Sequence, residues 1–424
     1  MLHWGDPLVT LSLLLRRLLP LNGRYVRALA VASFAFLAAC SGGSMNQTLP
    51  TGTTGAAPEA MMLQNSPNVR RACDEVQVPG AAQCYALIRT DVGGMISPNL
   101  PSGYGPADLQ SAYNLPSSTN GKGQTVGIVD AFDDPNAEAD LAVYRSTFGL
   151  PACTTKNKCF SKVGETGSPT KLPIPNAGWA GEISLDLDMV SANCPNCHIL
   201  LVEADTNYFA PLGKSVDEAV KLGADVVSNS YGGGESGKKN PHFFHKGTVI
   251  TASSDDAGYG PAQPCSYASV VCVGGTVLTH SSKPRGWAES AWAGAGSGCS
   301  ARVLKPSWQT DKGCTMRSES DVSAIANPAF PVAVYDTYMS GGWQVFGGTS
   351  VSSPLIASVF ALAGNESKQD AAKGIWARGG SKSFNDVTTG SNGTCPAKIK
   401  YICNAGPGYD GITGWGTPNG ISGF

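Results

Sequence analysis

The chain has 424 residues, enough for two or three average domains or for one large α/β domain with additions. Its formal net charge of −2 argues against partners recruited by charge, such as nucleic acid or an anionic membrane surface. Glycine is abundant (52 residues) and only 15% of residues are charged, a composition that favours a loop-rich exported protein over a helical cytosolic one.

An export signal is the first predicted element and occupies residues 1–40. Arg24 and Arg27 precede the apolar run Ala28 to Cys40, which is too short to span a bilayer and fits the core of a signal peptide. Small residues directly before Cys40 resemble a bacterial lipobox, which predicts that Cys40 carries a lipid. An ordinary cleaved signal is the alternative. We expect a protein secreted or held in the bacterial cell envelope, with Cys40 as its only contact with a membrane.

The other cysteines fall into near neighbours along the chain, which predicts six local disulfides in an oxidising compartment. For the "CPNC" of 194–197, a redox or metal-binding role is the alternative to a structural disulfide. A reactive CxxC is favoured at a helix N-terminus, however, and this one follows a predicted helix. The predicted pairs are Cys73/Cys84, Cys153/Cys159, Cys194/Cys197, Cys265/Cys272, Cys299/Cys314 and Cys395/Cys403.

Residues 41–102 are predicted to precede the main domain. Residues 41–70 are rich in Ser, Thr, Gly, Pro and Asn and read as a flexible tether, followed by a short segment with two cysteines. We expect the folded domain to occupy 103–424.

Within that domain, short apolar runs rich in β-branched residues alternate with stretches of helical periodicity. This alternation predicts an α/β fold, with a mostly parallel sheet flanked by helices on both faces. The predicted strands are "TVGIVDAF" (125–132), "HILLVEA" (198–204), "ADVVSNSYG" (224–232) and "GTVITASS" (247–254).

Two acidic residues of the predicted helix 179–194 are spaced by one turn. Glu182 and Asp186 stand at i and i+4 and therefore share a face, apart from the apolar stripe of that helix. A solvated acidic face is one interpretation. The other is a coupled carboxyl pair, in which one group has a raised pKa and accepts a proton from a hydroxyl.

The stretch "TASSDDAGYG" (251–260) carries two aspartates at the predicted carboxyl end of a strand, where α/β folds place their sites. A polar turn is the alternative interpretation, because Asp and Gly are common turn residues.

The stretch "FGGTSVSSPLIASVF" (346–360) predicts a nucleophile at a helix start. Gly347 and Gly348 permit a close turn, and the helix dipole would stabilise an oxyanion formed beside Ser350. A plain helix N-cap is the alternative. None of the five histidines lies in a glycine-rich setting that suggests a catalytic base.

Together these stretches resemble the sedolisin family of serine-carboxyl peptidases. "GGTSVSSP" matches the Gly-Thr-Ser-x-x-x-Pro signature that the family shares with subtilisin-like proteases, Glu182 and Asp186 match its Glu-x-x-x-Asp helix, and "SDDAG" matches its Ser-Gly-Asp-x-Gly turn. The resemblance runs from about Tyr104 to Phe424 and implies a subtilisin-like fold.

The resemblance also implies roles for these residues. Ser350 would be the nucleophile and Glu182 its base, Asp186 would orient Glu182, and protonated Asp256 would donate a hydrogen bond to the oxyanion. The implied activity is endopeptidase cleavage of extended polypeptides by a monomer, with an optimum at acid pH. In this family, the strand edge that matches Ser230, Tyr231, Gly232 and Gly233 pairs with the substrate backbone.

A calcium site is implied at the C-terminus. "NDVTTG" and "AGPGYDGITGWGTPNG" resemble the family's site for one Ca²⁺, a cation that prefers oxygen ligands. The matching ligands are the carboxylates of Asp386 and Asp410 and the backbone carbonyls of Val387, Gly406 and Gly408.

The chain departs from the family pattern in two places. Asp255 stands where the family's turn has glycine, which matters if the position needs a positive φ. Family members also commonly carry a large prodomain that is cleaved off, whereas the stretch between Cys40 and Tyr104 is short. Self-processing by the usual route is therefore not predicted.

Two other functions are compatible with the sequence. A catalytically silent descendant could bind peptides at the cell surface, although the complete set of Glu182, Asp186, Asp256 and Ser350 argues against it. A glycine-rich surface adhesin would need long alternating strands instead of strand–helix alternation.

Overall fold

Parallel strands joined by helices form the centre of the fold, as the apolar runs predict. A computed structural model describes residues 68–76, 78–97, 100–237, 239–365 and 370–424. They belong to the compact unit Thr54–Phe424. The predicted signal and Cys40 lie outside the described residues.

Six α-helices are described. They are α1 Pro106–Ala112, α2 Ala137–Thr147, α3 Ala177–Asn193, α4 Phe209–Lys221, α5 Thr349–Ala363 and α6 Ala371–Arg378. Short 3₁₀ turns occupy Pro241–Phe243 and Ala397–Ile402.

The described strands are mostly short. They are β1 Val69–Arg71, β2 Gln83–Cys84, β3 Leu87–Arg89, β4 Met95–Ser97, β5 Leu100–Pro101, β6 Thr125–Ala131, β7 Phe160–Gly164, β8 His198–Ala204, β9 Val226–Asn229, β10 Tyr231–Gly234, β11 Val249–Ser253, β12 Ala262–Gln263, β13 Val271–His280, β14 Trp287–Ala291, β15 Gly298–Leu304, β16 Met316–Glu319, β17 Val322–Ile325, β18 Val332–Asp336, β19 Gly342–Gly347, β20 Phe384–Asn385 and β21 Thr417–Pro418.

The central sheet has the order β14-β13-β11-β9-β6-β8-β7, with β17 paired to β13. Its neighbouring strands are parallel except for the antiparallel pair β13–β14. All four predicted strands are present as β6, β8, β9 and β11. Their unbroken apolar character follows from burial on both faces of the sheet.

Helices cover both faces of this sheet. On one face α3 and α5 pack against each other and against the strands, and on the other α4 packs against β6 and β8. One large apolar cluster, which includes Ile183 of α3 and Leu355 of α5, lies under the first face. A second, which includes Leu212 and Val216 of α4, lies under the other. The predicted arrangement of a parallel sheet between helices is confirmed.

Cysteine pairing follows the sequence prediction in full. All six predicted disulfides are formed, each between near neighbours in the chain. The "CPNC" pair Cys194–Cys197 is one of them and directly follows α3, so it clamps a helix end. Among the described residues, no helix has the length and apolar content needed to cross a bilayer.

Residues 68–101 pack onto this fold. Strands β1 and β3 extend a four-stranded sheet of order β1-β3-β19-β18, and β2 joins β10 and β12 in a small sheet. Ala82, Cys84 and Ala86 are fully buried there. A stretch that the sequence pattern placed ahead of the domain therefore lies against the strand ends that carry the predicted site.

Candidate active site

Ser350 lies in the first turn of α5, immediately after β19. Gly348 between them has φ of +99°, and a Cβ there would lie 1.9 Å from the Tyr85 carbonyl oxygen, so glycine is required. Pro354 has no N–H to donate to the Ser350 carbonyl four residues before it. The Ser230 hydroxyl lies 3.4 Å from that carbonyl instead. The sequence "GGTSVSSP" thus builds the turn that presents the serine.

Glu182 and Asp186 lie on one face of α3, which begins after Asn176 accepts a hydrogen bond from the Trp179 amide at 3.0 Å. Both carboxyls are 0% exposed. The solvated-face interpretation is therefore wrong, and the coupled-pair interpretation fits. The helix is buried almost throughout, from Trp179 to Asn193, so its acidic face points into protein rather than water.

Glu182 lies next to the Ser350 hydroxyl and next to the backbone amide of Ala86. Its Oε2 accepts a hydrogen bond from the Ala86 amide at 2.9 Å, and its Oε1 has no hydrogen-bond partner of good geometry. The Ser350 hydroxyl donates to the Ser230 carbonyl at 3.2 Å. It also lies close enough to Glu182 to lower the pKa of that carboxyl. Burial outweighs this effect and, with the Asp130 charge, holds the Glu182 pKa well above its usual range.

Asp186 is held by Ser230, whose hydroxyl lies 2.7 and 2.9 Å from the two carboxylate oxygens. Burial raises the pKa of Asp186, and the charges of Asp130 and Glu182 raise it further. These acids repel one another when ionised, so they share protons as a group rather than titrate independently.

Asp130 is a third acid of this group and was not predicted from the sequence. It stands near the carboxyl end of β6, is 0% exposed, and accepts no hydrogen bond on either oxygen. Burial raises its pKa to about 8. The signal that points to it is an ionisable residue in the otherwise apolar run "TVGIVDAF", at the strand end where α/β sites form.

Asp256 reaches the same site from the loop after β11. Its Oδ1 accepts hydrogen bonds from the Thr349 amide and hydroxyl, both at 2.8 Å, whereas Oδ2 is buried without a partner. A Cβ on Gly348 would lie 2.6 Å from Oδ2, so this oxygen faces the turn that carries Ser350. Burial raises the Asp256 pKa to about 7. Below that pH the carboxyl is mostly protonated and can donate from Oδ2.

Asp255, the departure from the family turn, has φ of 100°, a conformation that favours glycine. Its side chain compensates locally, because its carboxylate accepts hydrogen bonds from the amides of Asp256 and Ala257. Its charge also raises the Asp256 pKa. Asp255 thus has a strained backbone conformation, but its side chain is hydrogen-bonded.

The strand edge of Ser230, Tyr231, Gly232 and Gly233 is paired on both sides. Strand β10 pairs antiparallel with β12 on one side and with β2 of the N-terminal segment on the other. In that second pair Tyr231 is opposite Cys84 and Gly232 is opposite Gln83. An extended segment of the chain itself therefore occupies the edge predicted to bind substrate.

The residues predicted to bind calcium are brought together in one C-terminal region. Asp386 accepts a hydrogen bond from the Gly408 amide at 2.9 Å, and Asp410 lies 3.4 Å from the Gly406 amide. Val387 is buried beside them. Asp410 is 1% exposed, and burial raises its pKa to about 7. The amides of Ile412 and Thr413 and the Thr413 hydroxyl also donate to the Asp410 carboxylate, at 2.9 to 3.0 Å. None of these donors is cationic, and carboxylate and carbonyl oxygens are the ligands that suit a hard cation.

Known proteins resemble this chain in sequence. The Subtilase family model matches residues 175–379. Kumamolisin of Bacillus sp. (strain MN-32) is 27% identical over 360 residues, which is 76% of this chain and 63% of kumamolisin. Sedolisin of Pseudomonas sp. (strain 101) is 26% identical over 362 residues, 74% of this chain and 60% of sedolisin. The chain spans less than two thirds of the length of these two relatives.

A solved structure of Pseudomonas sedolisin, a serine-carboxyl proteinase complexed with two molecules of pseudo-iodotyrostatin, matches with a TM-score of 0.64. The identity is 24%, and the match covers 75% of this chain and 95% of that one. This likeness confirms the predicted subtilisin-like fold. The two sequence relatives, kumamolisin and sedolisin, agree with the resemblance to sedolisin-type serine peptidases that the motifs indicated.

Proposed function

We propose that the chain is a serine-carboxyl endopeptidase that hydrolyses peptide bonds of extended polypeptides. The supporting observation is that Ser350, Glu182, Asp186 and Asp256 converge in one buried site. The described histidines have other contacts: His242 and His245 contact Asp217, His280 packs against Trp287, and His198 is exposed at the start of β8. A carboxylate is therefore the base at hand for Ser350.

In the proposed reaction, the Ser350 hydroxyl attacks the substrate carbonyl while Glu182 takes its proton. Glu182 then gives that proton to the leaving amine, and the same residues activate water to release the acyl group. The Asp130 charge raises the pKa of Glu182 and so makes it a stronger base, and Asp186 shares protons with the same group of acids. Protonated Asp256 donates from Oδ2 to the oxyanion, beside the positive end of the α5 dipole.

This mechanism implies that the enzyme is active at acid pH. A carboxyl donates a hydrogen bond only in its protonated form, and the Asp256 pKa is about 7. We therefore propose that activity falls as pH rises above that value. The substrate would bind as an extended strand at the edge of β10 that β2 occupies in this structure, where Tyr231 and Gly232 pair with Cys84 and Gln83.

We further propose one structural Ca²⁺ at the C-terminus. Asp386 and Asp410 would hold it through their carboxylates, and Val387, Gly406 and Gly408 through their backbone carbonyls. When bound, the ion would neutralise the buried Asp410 charge and tie two loops together. It would have no part in the chemical steps.

The setting proposed for the enzyme is outside the cytoplasm. Six local disulfides suit an oxidising compartment. Lipidation at Cys40 would tie a monomer to the cell envelope, and labelling of the parent and a Cys40→Ser variant with a fatty-acid analogue tests this.

Digestion of an unfolded protein tests the catalytic proposal. The full chain is incubated at acid pH, and hydrolysis is compared among the parent, Ser350→Ala, Glu182→Gln and the matched control Ser358→Ala. Ser358 lies on the same helix and donates to the Pro354 carbonyl at 2.8 Å, away from the acids. We expect hydrolysis by the parent and Ser358→Ala, and a loss of at least 10³-fold in the other two.

Equal hydrolysis by the parent and Ser350→Ala would show that Ser350 is not the nucleophile. Binding of the unfolded protein without hydrolysis by any variant would favour the alternative of a catalytically silent peptide-binding protein.

A further inference from the structure

A cavity of about 910 Å³ lies at the edge of the central sheet opposite the proposed active site. Gly247 and Thr248 line it and directly precede β11, whereas Asp256 follows the other end of that strand. The end of β15 and the start of α6 also contribute to its wall. Sites for drug-sized ligands typically have volumes of about 300–1,000 Å³. The cavity is therefore large enough for a small molecule and is separate from the catalytic residues.

Apolar and aromatic side chains form much of the wall. They are Phe244, Tyr267, Val303, Leu304 and Trp308. Phe244 is 68% exposed and Leu304 is 72% exposed, although both line the same cavity. Large apolar side chains that face water around one concave surface indicate a binding site, because a ligand that covers them removes apolar surface from water.

The hydroxyl groups of the wall are already used within the protein. The Tyr267 hydroxyl donates to the Gln263 side chain at 2.9 Å, and the Ser269 hydroxyl donates to a backbone carbonyl at 2.7 Å. The Thr248 hydroxyl lies 3.4 Å from another backbone carbonyl. A buried peptide would need hydrogen-bond partners for its backbone, whereas a hydrocarbon chain needs none. The wall therefore favours a ligand whose buried part is hydrocarbon.

Cationic side chains accompany this apolar wall. Lys239 and Lys246 line the cavity, against one acid, Asp370. Both lysines are exposed, and neither forms an ion pair or a side-chain hydrogen bond within the described part of the chain. Arg302 is exposed two residues from Leu304, on the same face of β15. An anionic group would therefore be attracted to this surface and a cationic one repelled.

We propose that this cavity binds a long-chain carboxylate, the anion of a fatty acid. The hydrocarbon chain would cover Phe244, Leu304 and Trp308, and the carboxylate would contact Lys239 and Lys246. Binding is non-covalent and involves no chemical step. The inference does not depend on the proposed peptidase function, because none of the proposed catalytic residues lines the cavity.

Calorimetric titration tests the ligand class. The full Ser350→Ala chain, with its disulfides formed, is titrated with decanoate at neutral pH in buffer without free divalent cations. Decanol and decylammonium are the matched uncharged and cationic ligands. We expect a single site for decanoate, binding of decanol that is about fivefold weaker, and still weaker binding of decylammonium. Octanoate should bind roughly 15-fold more weakly than decanoate, since each buried CH₂ contributes about fourfold in affinity.

A variant of an exposed apolar residue locates the site. Phe244→Asp places a negative charge on the cavity wall and should weaken decanoate binding about tenfold or more. Met339→Asp is the matched control, because Met339 is 82% exposed and does not line the cavity. It should bind decanoate as the parent does. Equal thermal unfolding midpoints in the two variants would show that both are folded.

Lysine variants test the contact with the carboxylate. The double variant Lys239→Gln, Lys246→Gln should bind decanoate about fivefold more weakly and leave the affinity for decanol unchanged. The double variant Lys122→Gln, Lys156→Gln removes two exposed lysines that do not line the cavity and should change neither affinity.

Several results would overturn the inference. They are the absence of decanoate binding, equal affinities for decanoate, decanol and decylammonium, and equal losses in Phe244→Asp and Met339→Asp. Binding of the chain to phosphatidylglycerol vesicles without binding of dispersed decanoate would also overturn it, since the surface would then be a membrane contact and not a small-molecule site.

Discussion

At the scale of single residues, burial determines the chemistry of the site. Glu182, Asp186, Asp130 and Asp256 are each 0% exposed, and burial is the largest cause of the raised pKa in every one of them. A carboxyl in this environment keeps its proton at pH values where an exposed one is ionised. The same residue type can therefore act as a base beside Ser350 and as a hydrogen-bond donor at Asp256.

An Asp256→Asn variant separates the donor role from titration. The amide nitrogen of Asn donates at every pH, so we expect the fall in activity above about pH 7, the value of the Asp256 pKa, to disappear. Asp256→Ala, the matched control, has no donor and should lose about 10²–10³ in kcat. The measurement is kcat/KM against pH, and an unchanged alkaline limb in Asp256→Asn would show that another group controls it.

An Asp130→Asn variant tests the third acid as a positioning residue. Removing its charge should lower the pKa of Glu182, so the acid limb of the pH–rate profile should move to lower pH. Asp134→Asn is the control, since Asp134 is also buried but is not among the main causes of the raised Glu182 pKa. If both variants leave the limb where it is, Asp130 has only a structural role.

At the scale of elements, the site is assembled from the interior of one helix, the start of another and the ends of strands. Helix α3 supplies Glu182 and Asp186, the start of α5 supplies Ser350, and β6 and the loop after β11 supply Asp130 and Asp256. Since parallel strands end at the same edge of a sheet, these side chains meet without long loops. Asp386 and Asp410 are different, because they lie in loops outside the central sheet, Asp386 directly after the short strand β20.

Calcium removal should therefore weaken those loops first. We expect a chelator to lower the thermal unfolding midpoint and added Ca²⁺ to restore it, since an ion at 100 times its Kd adds about 2.7 kcal/mol of stability. Asp410→Asn should lose most of this response, whereas Asp205→Asn, which removes an exposed acid elsewhere, should keep it. Equal responses in the two variants would place the ion at another site.

At the scale of the whole molecule, buried acids couple folding to pH. Burial raises the pKa to about 8 for Asp130, about 7 for Asp134 and Asp256, and about 9 for Glu203. In the unfolded chain these groups titrate near 4. The folded state therefore binds more protons than the unfolded state over the interval between these values, and folding stability decreases as pH rises through it.

We accordingly expect the thermal unfolding midpoint of the Ser350→Ala chain, in which proteolysis by Ser350 is blocked, to be higher near pH 5 than near pH 8. A pKa difference of one between the folded and unfolded states corresponds to about 1.4 kcal/mol, so one group is enough to produce a measurable slope. Asp130→Asn in the same background should flatten the slope. A midpoint that rises from pH 5 to pH 8 would contradict this expectation.

The sequence by itself determined the α/β alternation and the serine and acid motifs and predicted the six disulfide pairs that the structure forms, because periodicity, cysteine spacing and short motifs are local properties. Proximity of distant residues is not local, and only the tertiary structure decided it. Asp130 joined the acid group because β6 ends beside α3, and Glu182 and Asp186 were buried because α3 is enclosed. The N-terminal segment lies at the site because its strands β2 and β3 pair with β10 and β19, which are far from them in the chain.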